Sequence, residues 1–564
     1  MDTELFELIP QIINASSNAE SNAILLDWIE GLEEITDIME DEGYPDPQYV
    51  KLYPYFSWIT EDVLGAALLE EVEKVRMAYR SYQTHRYYDI VYDIVAFKGE
   101  NAYATMSYSN LNYRLLGLFR YWNMIQYFFP YRNLFDEDWH EVLNNFIPLF
   151  IAGDTEYDYK YNILALITKI GDSHANVWNY QRVLQPILKY GTEYFDTVVT
   201  VKFVEGKAIV AGFKNEALGL ATGLIPGDII ETVDGKRVDE IVEELLPVTS
   251  ASNYPTQLRI IAQKLLLSLN NTVKVSYRRD NKVYEAELNT YDRTSFPDVT
   301  IPIRTVDDNI SLIYPGTITI DLLDEAIPDI MNSKGIIVDM RCYPNETIIF
   351  PLGRHLMPES SPFVKFSRTQ YIFPGVFTYL PTYILGYYNF DYYTEITDYY
   401  KGKTVVIVNE ETQSEAEFTT MAYQASPNTI VIGSTTAAAD GNMVYFYLPG
   451  NIYTAFSGLG VYYPDGTETQ RVGIVPNVEV LPTIEGIKNG IDEPLQKAID
   501  IINEGTRIND LATTDEFSLY ADPNGMLHIR NIPTNGEINL FDLQGKKIVT
   551  AKVHRGDNSI DTQN

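Results

Sequence analysis

The spacing of apolar residues changes twice along this chain of 564 residues, and these changes constrain its fold more than any other feature. In residues 1–185 apolar side chains recur at helical spacing, as in Leu115, Leu118 and Trp122. Short strand patterns follow in residues 190–292, and in residues 300–502 buried-looking strands alternate with helical stretches. The sequence therefore predicts a multidomain α+β protein with a helical N-terminal region, a small β module and an α/β core.

A polar stretch around residues 505–514 separates this predicted core from a tail. Residues 515–564 carry short strand patterns with turns at Pro523-Asn524-Gly525 and Gln544-Gly545. We expect a small β-sandwich-like domain here, whose fold need not be complete within this sequence.

Charge and composition narrow the classes of partner. The chain has 78 acidic against 42 basic residues and a net charge of -36, which argues against binding to nucleic acid or to anionic lipid surfaces. No apolar stretch has the length that a membrane-spanning helix needs, so no membrane insertion is expected. The sequence has a single cysteine, Cys342, and no paired-histidine motif, so we expect no metal site. No organic cofactor is expected either. The oligomeric state has no signature in the sequence.

The serine at position 414 has a context that suits nucleophilic chemistry. It follows the apolar strand pattern of residues 404–408 and opens a helical run, so we expect it in the first helical turn at the carboxyl end of a strand. Free N–H groups at a helix start stabilise a developing oxyanion. The alternative is a capping box between Thr412 and Glu415, which serves only to start the helix.

His174 is the most promising base among six histidines. It directly follows Ser173 and lies just past a predicted helix that ends before Gly171, a type of junction where catalytic groups are often held. Taken alone, its position favours a structural histidine. A third segment, residues 222–238, joins a Pro-Gly turn to an Asp-Gly turn, and plain hairpin turns would also explain it.

Together, and in this order, the three segments resemble the C-terminal processing serine peptidases, in particular their tricorn-core-like branch. Residues 223–238 are similar to the signature of the family's peptide-binding PDZ module, residues 171–175 to its Ser-His motif and residues 412–417 to its nucleophile motif. Residues 431–436, 448–450 and 473–477 are similar to later landmarks. The resemblance implies a crotonase-like ββα peptidase core and peptide contacts at Gly223 and Leu224 of the PDZ-like module.

The resemblance also implies a mechanism. Ser414 would attack the peptide carbonyl, His174 would act as base, and Ser173 would hydrogen-bond the imidazole and hold its tautomer. Part of the family uses a lysine base instead, but no lysine lies between Lys403 and Lys488.

Two positions depart from the family pattern. Gln470 stands where the tricorn-like branch has a supporting glutamate, a role that nearby Glu468 could take over. Pro344 has no N–H to donate, so the oxyanion donor beside Glu415 would be the backbone of Tyr343 or Asn345. Cys342 is interpreted as a buried structural thiol rather than a nucleophile.

The expected function is that of a serine endopeptidase acting on peptides or unfolded proteins. A catalytically impaired peptide-binding protein on a peptidase scaffold is the alternative, and an intracellular peptide trimmer is a third possibility. The tail resembles the sorting domain of the type IX secretion system of Bacteroidetes, with an ordinary accessory β domain as the alternative. No basic residue precedes Lys51, which is unlike a secretory signal. We therefore expect a secreted, periplasmic or cell-surface protein whose signal peptide has been removed, with a cytoplasmic protein as the alternative.

Overall fold

The structure, a computed structural model, describes residues 2–32, 35, 37–39, 45–80, 87–189, 193–385 and 399–504. In the tail it describes residues 518–521, 526–532, 536–541, 547–554 and 556–561. None of the described helices is long and apolar enough to cross a bilayer.

The N-terminal region is mainly helical, as predicted. Polar side chains begin its helices: Asp138, for example, accepts hydrogen bonds from the N–H groups of His140 and Glu141. The helices are α1 (Asp2–Asn14), α2 (Asn18–Glu30), α3 (Glu61–Met77), α4 (Leu111–Phe128), α5 (Trp139–Ala152), α6 (Glu156–Thr168) and α7 (Gln185–Leu188). The region also contains strands that the helical spacing did not predict: β1 (Val50–Leu52), β2 (Tyr88–Val91), β3 (Ile94–Phe97) and β4 (Asn176–Val177).

The small β module follows and contains both strands and helices. Its strands are β5 (Asp196–Thr197), β6 (Val199–Val204), β7 (Lys207–Phe213), β8 (Ile229–Val233), β9 (Lys236–Arg237), β10 (Thr272–Arg279) and β11 (Lys282–Tyr291). They form a sheet of order β5-β11-β10-β8-β7-β6, with β9 paired to β8, so β6 lies at an edge. The helices are α8 (Glu216–Leu220), α9 (Val238–Leu245) and α10 (Tyr254–Leu265), and α10 was not predicted.

The α/β core begins at residue 303. Its strands are β12 (Ile303–Val306), β13 (Ile310–Ile313), β14 (Gly335–Asp339), β15 (Ser361–Thr369), β16 (Phe377–Tyr379), β17 (Tyr383–Leu385), β18 (Lys403–Val408), β19 (Thr429–Gly433), β20 (Met443–Leu448), β21 (Ile452–Ser457), β22 (Gly460–Tyr462) and β23 (Val478–Glu479). Its helices are α11 (Ile320–Met331), α12 (Ile349–Leu356), α13 (Glu415–Gln424), α14 (Ile484–Lys488) and α15 (Glu493–Asn503).

The central sheet of the core has the order β12-β13-β14-β18-β19-β23 and is parallel from β13 to β23. Side chains alternate between its faces, since Val406 packs into the cluster under α11 to α13 whereas Val405 and Ile407 pack against α15. Both faces are therefore buried, which explains the continuous apolar runs of β14 and β18. The carboxyl ends of these two neighbouring strands lie side by side.

The N-terminal region and the core share a hydrophobic interior. Strand β4 pairs with β21 through Val177 and Thr454, and Ile163 of α6 packs in the same cluster as Phe446 and Phe456 of the core. The helical region folds around the strands β20 and β21 of the core, because its helices bury their apolar faces there.

The tail is rich in strands, as predicted. The strands are β24 (Ser518–Ala521), β25 (Met526–Ile532), β26 (Gly536–Phe541), β27 (Lys547–Val553) and β28 (Gly556–Asp561). They pair in the order β24-β25-β28 and as the hairpin of β26 with β27. The linker predicted around residues 505–514 lies outside the described residues.

Candidate active site

Ser414 lies at the start of α13, directly after the turn that leaves β18. Its backbone has φ 56° and ψ −119°, a conformation that residues other than glycine rarely adopt. The Ser414 N–H is held by the carbonyl of Ala439 at 3.0 Å and by Oε2 of Glu417 at 3.1 Å. The side chain is half-buried, and the phenol of Tyr343 lies near it. The strained turn thus presents the serine hydroxyl at the carboxyl edge of the sheet, as predicted.

The capping arrangement of this helix differs from the predicted alternative. The Thr412 hydroxyl donates to the carbonyl of Met340 at 2.7 Å and accepts the N–H of Asn409 at 3.1 Å, so it does not pair with Glu415. It joins the turns that follow β14 and β18. The carboxylate that returns to the start of the helix is that of Glu417.

Glu417 is fully enclosed beneath the turn. Its oxygens accept hydrogen bonds from the Thr436 hydroxyl and from the backbone N–H groups of Ser414, Ala438 and Ala439. Burial raises the pKa of Glu417 to about 7, although these hydrogen bonds oppose the shift. The carboxyl therefore fastens the loop of residues 436–439 against the serine turn.

Two backbone N–H groups remain available near Ser414. Among the described residues, the N–H groups of Glu415 and Tyr343 have no hydrogen-bond acceptor. Asn345, the other predicted donor, is excluded because its N–H donates to the carbonyl of Pro315 at 2.9 Å. Cys342 beside them is buried, and burial raises the pKa of its thiol to about 12, in agreement with the structural role that was predicted.

His174 is part of a hydrogen-bonded chain that the sequence did not reveal. Its Nδ1 lies 2.9 Å from Oγ of Ser457, and the Ser457 hydroxyl donates to Oδ1 of Asp172 at 2.9 Å. Because that hydroxyl proton is directed to the carboxylate, the Ser457 oxygen accepts the proton on Nδ1. Nε2 is then the unprotonated nitrogen, as a general base requires.

Asp172 is wholly buried and is the centre of this network. Its oxygens also accept the N–H groups of His174 at 3.1 Å and Ser457 at 2.7 Å, and Nε2 of Gln470 at 3.3 Å. Burial lowers the pKa of His174 below its usual value, and the nearby Asp172 opposes that shift. The imidazole is therefore kept neutral until it can take a proton.

The predicted role of Ser173 is wrong, because its hydroxyl does not contact the imidazole. Its Oγ donates to the carbonyl of Ala437 at 2.8 Å and accepts the N–H of Ser252 at 2.8 Å. Ser173 instead fastens the histidine loop to the core and to the segment that precedes α10. Ser457 occupies the position at Nδ1 that had been predicted for Ser173.

The two candidates for a supporting group lie in different places. Gln470 is buried and donates to Asp172 and, at 3.2 Å, to Oγ of Ser252. Glu468 forms an ion pair with Lys51 and accepts a hydrogen bond from Asn133, so it does not take part in the histidine network. Gln470 thus contacts the acid and not the Ser173 hydroxyl.

The structure brings the serine and histidine loops together. Nε2 of Gln413 donates to the carbonyl of Ser173 at 3.4 Å, although the two residues are 240 positions apart. Each is the immediate neighbour of a predicted catalytic residue. Among the described residues, Ser414 Oγ and His174 Nε2 share no direct hydrogen bond, and such bonds are often loose until substrate is present.

Comparison with known proteins identifies a peptidase domain in the chain. The sequence model of peptidase family S41 matches residues 359–480, a range that includes Ser414, Ser457 and Gln470. The chain contains a domain of peptidase family S41. It is a serine-type peptidase, and peptides or proteins are its substrates. No curated protein sequence matches it.

The fold is similar to that of a solved structure of low sequence identity, mature CPAF. Mature CPAF in complex with lactacystin aligns with a TM-score of 0.53 at 10% identity, covering 72% of this chain and 99% of CPAF. The photosystem II D1 C-terminal processing protease has a TM-score of 0.40 at 15% identity, covering 66% and 96% of the two chains. The tricorn protease has a TM-score of 0.33 at 15% identity, covering 69% and 37%.

The β module borders a cleft of about 840 Å³. The cleft lies between β6 and α10 on one side and the core on the other, where its lining reaches Glu411 in the turn before Ser414. Arg259 of α10 donates to the carbonyl of Glu410 at 2.7 Å and to Oε1 of Gln413 at 2.8 Å. The module and the serine turn are therefore in direct contact.

The predicted peptide contacts at Gly223 and Leu224 lie elsewhere in the module. Leu224 is wrong as a contact residue, because its side chain is fully buried and its N–H donates to Thr222 Oγ1 at 3.2 Å. Gly223 has φ 79°, and its carbonyl accepts a hydrogen bond from Arg279 at 2.8 Å. Gly223 therefore forms a tight turn, for which glycine is suited.

Sequence reasoning missed Asp172, Ser457 and Glu417. A signal existed for Asp172, since a carboxylate two positions before a candidate base can reach the backbone N–H of that base. Nothing in the sequence marked Ser457, which lies 283 positions from His174.

Proposed function

We propose that this protein is a serine endopeptidase in which Ser414 is the nucleophile and His174 the general base. The observation that carries the proposal is the series of hydrogen bonds from His174 through Ser457 to Asp172, which lies beside the Ser414 turn. These hydrogen bonds leave Nε2 of His174 free to accept a proton. Peptides and unfolded proteins are the proposed substrates, because only extended backbone presents a scissile bond to such a site.

The proposed reaction proceeds by acyl transfer. Ser414 Oγ attacks the scissile carbonyl as His174 Nε2 takes the hydroxyl proton, and the N–H groups of Glu415 and Tyr343 stabilise the resulting oxyanion. The imidazolium gives its proton to the leaving amine, and the C–N bond breaks to leave an ester on Ser414. Water then attacks the ester with His174 again as base, which releases the acid and restores the serine.

The β module is proposed to act as a PDZ-like unit that captures an extended peptide. The edge strand β6 and helix α10 border the cleft, and an added strand could pair with the free edge of β6. The segment before α10 touches the catalytic loops, since Ser250 donates to the carbonyl of Asp172 and Asn253 to that of Thr436. Peptide capture could thus feed substrate to Ser414 or gate the site.

The protein is proposed to be exported and to act outside the cytoplasm, with the β-rich tail as a type IX sorting domain. The strand content of the tail supports this proposal. Removal of the tail should then leave the peptidase in the cell, whereas an intracellular trimmer would be unaffected.

A fluorophosphonate probe, which labels activated serines, tests the proposed chemistry. Wild type and a matched Ser295→Ala variant, altered at an exposed serine, should be labelled equally. Ser414→Ala should not be labelled, and His174→Ala should be labelled at least about 100-fold more slowly. An unlabelled wild type that still binds peptide would instead support the catalytically impaired binding protein.

A further inference from the structure

The antiparallel sheet β20-β21-β4 carries large aromatic side chains on its outer face. In β20 the side chains alternate, so that Val444 and Phe446 are buried in the interior shared with the helical region, whereas Tyr445 and Tyr447 are 41% and 38% exposed. Trp178, directly after β4, is 48% exposed. The outer face of such a sheet normally carries polar side chains, and a group of exposed rings marks a surface that binds another molecule.

These rings contact one another and form one surface. Tyr453 of β21 lies opposite Tyr447 of β20, with their ring centroids 4.7 Å apart. Tyr453 also stacks on Tyr445, at 5.4 Å and with 15° between the ring planes. The indole of Trp178 meets Tyr445 edge to face at 6.5 Å. We call the side chains of Trp178, Tyr445, Tyr447 and Tyr453 the aromatic shelf.

The aromatic shelf is continuous with the histidine network. Alternate residues of β21 lie on the same face of the sheet, and these are Tyr453, Ala455 and Ser457. Ser457 is the residue whose Oγ lies 2.9 Å from Nδ1 of His174. On β4, Nε1 of Trp178 donates to the carbonyl of His174 at 3.2 Å. Since a strand rises by about 3.3 Å per residue, Tyr453 lies about 13 Å along β21 from Ser457, which is the length of about four residues of an extended peptide.

We propose that the aromatic shelf binds aromatic or large aliphatic side chains of the substrate close to the cleaved bond. A side chain that lies on these rings removes apolar surface from water on both partners, and aromatic side chains gain further from ring contacts. The inference rests on the proposed function and adds a substrate class to it. It makes the enzyme selective for apolar segments of peptides and unfolded proteins.

The position of the shelf favours the substrate as its occupant over a separate partner protein. The shelf begins at the loop and strand that hold His174, through Trp178 and Ser457. An extended chain bound for cleavage therefore brings the residues near its scissile bond to this face. Rings that served only to stabilise the sheet by cross-strand contacts would instead affect the free energy of unfolding without changing the choice of substrate.

Matched peptides test the proposal. Internally quenched peptides share one sequence and differ only by phenylalanine or serine at one of the four positions on either side of the cleaved bond. For wild type we expect kcat/KM to be at least about 10-fold higher with phenylalanine at one or more of these positions. Tyr445→Thr removes the ring that contacts both Trp178 and Tyr453 but keeps a residue that favours strands, and it should reduce this ratio to below about 3.

The ratio compares two peptides on the same enzyme, so a smaller folded fraction of a variant does not change it. The matched control is Tyr157→Ala, which removes an exposed tyrosine of α6 that stacks on Tyr161 at 5.7 Å outside the shelf. This control should keep the wild-type ratio. If Tyr445→Thr does not fold, Tyr447→Thr provides the same comparison.

Fluorophosphonate labelling of wild type reports separately whether the proposed function holds. In labelled wild type, equal rates with phenylalanine and serine at every position, or a preference that persists in Tyr445→Thr, would overturn the shelf as a substrate site. If wild type is not labelled, the affinities of the same peptides are measured by fluorescence polarisation. Tighter binding of a phenylalanine peptide that is lost in Tyr445→Thr would then support the shelf, and equal affinities would overturn it.

Discussion

The serine side and the histidine side of the site are built in different ways. The Ser414 turn is held mainly by residues between 412 and 440, including Glu417 of α13 and Ala439 of the loop that follows β19. The histidine side joins Asp172 to Ser457 and Gln470, which are 285 and 298 positions away in the chain. A local motif thus encodes the proposed nucleophile, whereas the position of the proposed base depends on tertiary packing.

The difference also concerns what each set of contacts achieves. On the serine side, the carboxyl of Glu417 fastens backbone groups, so its contribution should be seen first in the free energy of unfolding. On the histidine side, the contacts set a tautomer and support a transient positive charge, so their loss should be seen first in kcat. Variants on the two sides can therefore be compared by measuring both quantities.

The largest expected effect is that of Asp172→Asn. The variant removes the charge that supports the His174 imidazolium and disturbs the Ser457 hydroxyl that fixes the tautomer, so kcat should fall on the order of 10³- to 10⁴-fold. Ser457→Ala, which keeps the buried acid, should lower kcat only about 10- to 100-fold. Steady-state kinetics on an internally quenched peptide measures both. Activity of Asp172→Asn within about 3-fold of wild type would mean that the network does not support the base.

Glu417→Gln should affect mainly stability. The carboxyl oxygens of Glu417 accept four hydrogen bonds. In glutamine one of these oxygens is replaced by an NH₂ group, which cannot accept them, so some buried donors lose their acceptor and the folded state is destabilised. We expect the free energy of unfolding to fall by about 2–4 kcal/mol in urea titration, with Glu325→Gln as the surface control. A stable Glu417→Gln enzyme with a large loss of kcat would show that Glu417 acts in catalysis instead.

The sequence was informative where periodicity and local motifs decide the structure. The strand β18 was predicted to within one residue of its observed bounds, and Ser414 was placed at a helix start, since both features depend on contiguous residues. The strands β2 and β4 were missed because they lie in a region of helical spacing. Only the folded chain shows that the helices of this region pack around β20 and β21.

The site was predictable to the same extent. Ser414, His174 and Glu415 were proposed from motifs, and the missing N–H of Pro344 left Tyr343 or Asn345 as the second donor. The hydrogen bond from the Asn345 N–H to Pro315 leaves Tyr343. The partner of Nδ1 could not be deduced, because two serines, Ser173 and Ser457, satisfy the same chemistry and only packing decides between them. Resemblance favoured the adjacent residue, Ser173, whereas the fold brings Ser457 to the ring.

The smallest expected effect is on the pH dependence of kcat/KM, which distinguishes the serine side of the site from the histidine side. Only neutral His174 can accept the serine proton, so kcat/KM should rise with pH through the pKa of this group. Burial lowers the pKa of His174 from its usual 6.5, and therefore the midpoint of this acid limb should lie below 6.5. Asp172→Asn removes the charge that opposes this shift, so it should move the midpoint further toward acid.

The pKa of Glu417, raised by burial to about 7, could add a second limb to the same profile. A limb near pH 7 that disappears in Glu417→Gln belongs to the serine side, whereas a limb below 6.5 that persists there and moves in Asp172→Asn belongs to His174. A single midpoint above 6.5, unchanged in both variants, would contradict the assignment of His174 as the buried base. The pH profile thus separates the titration of Glu417, which holds the serine turn, from that of His174, which transfers the proton.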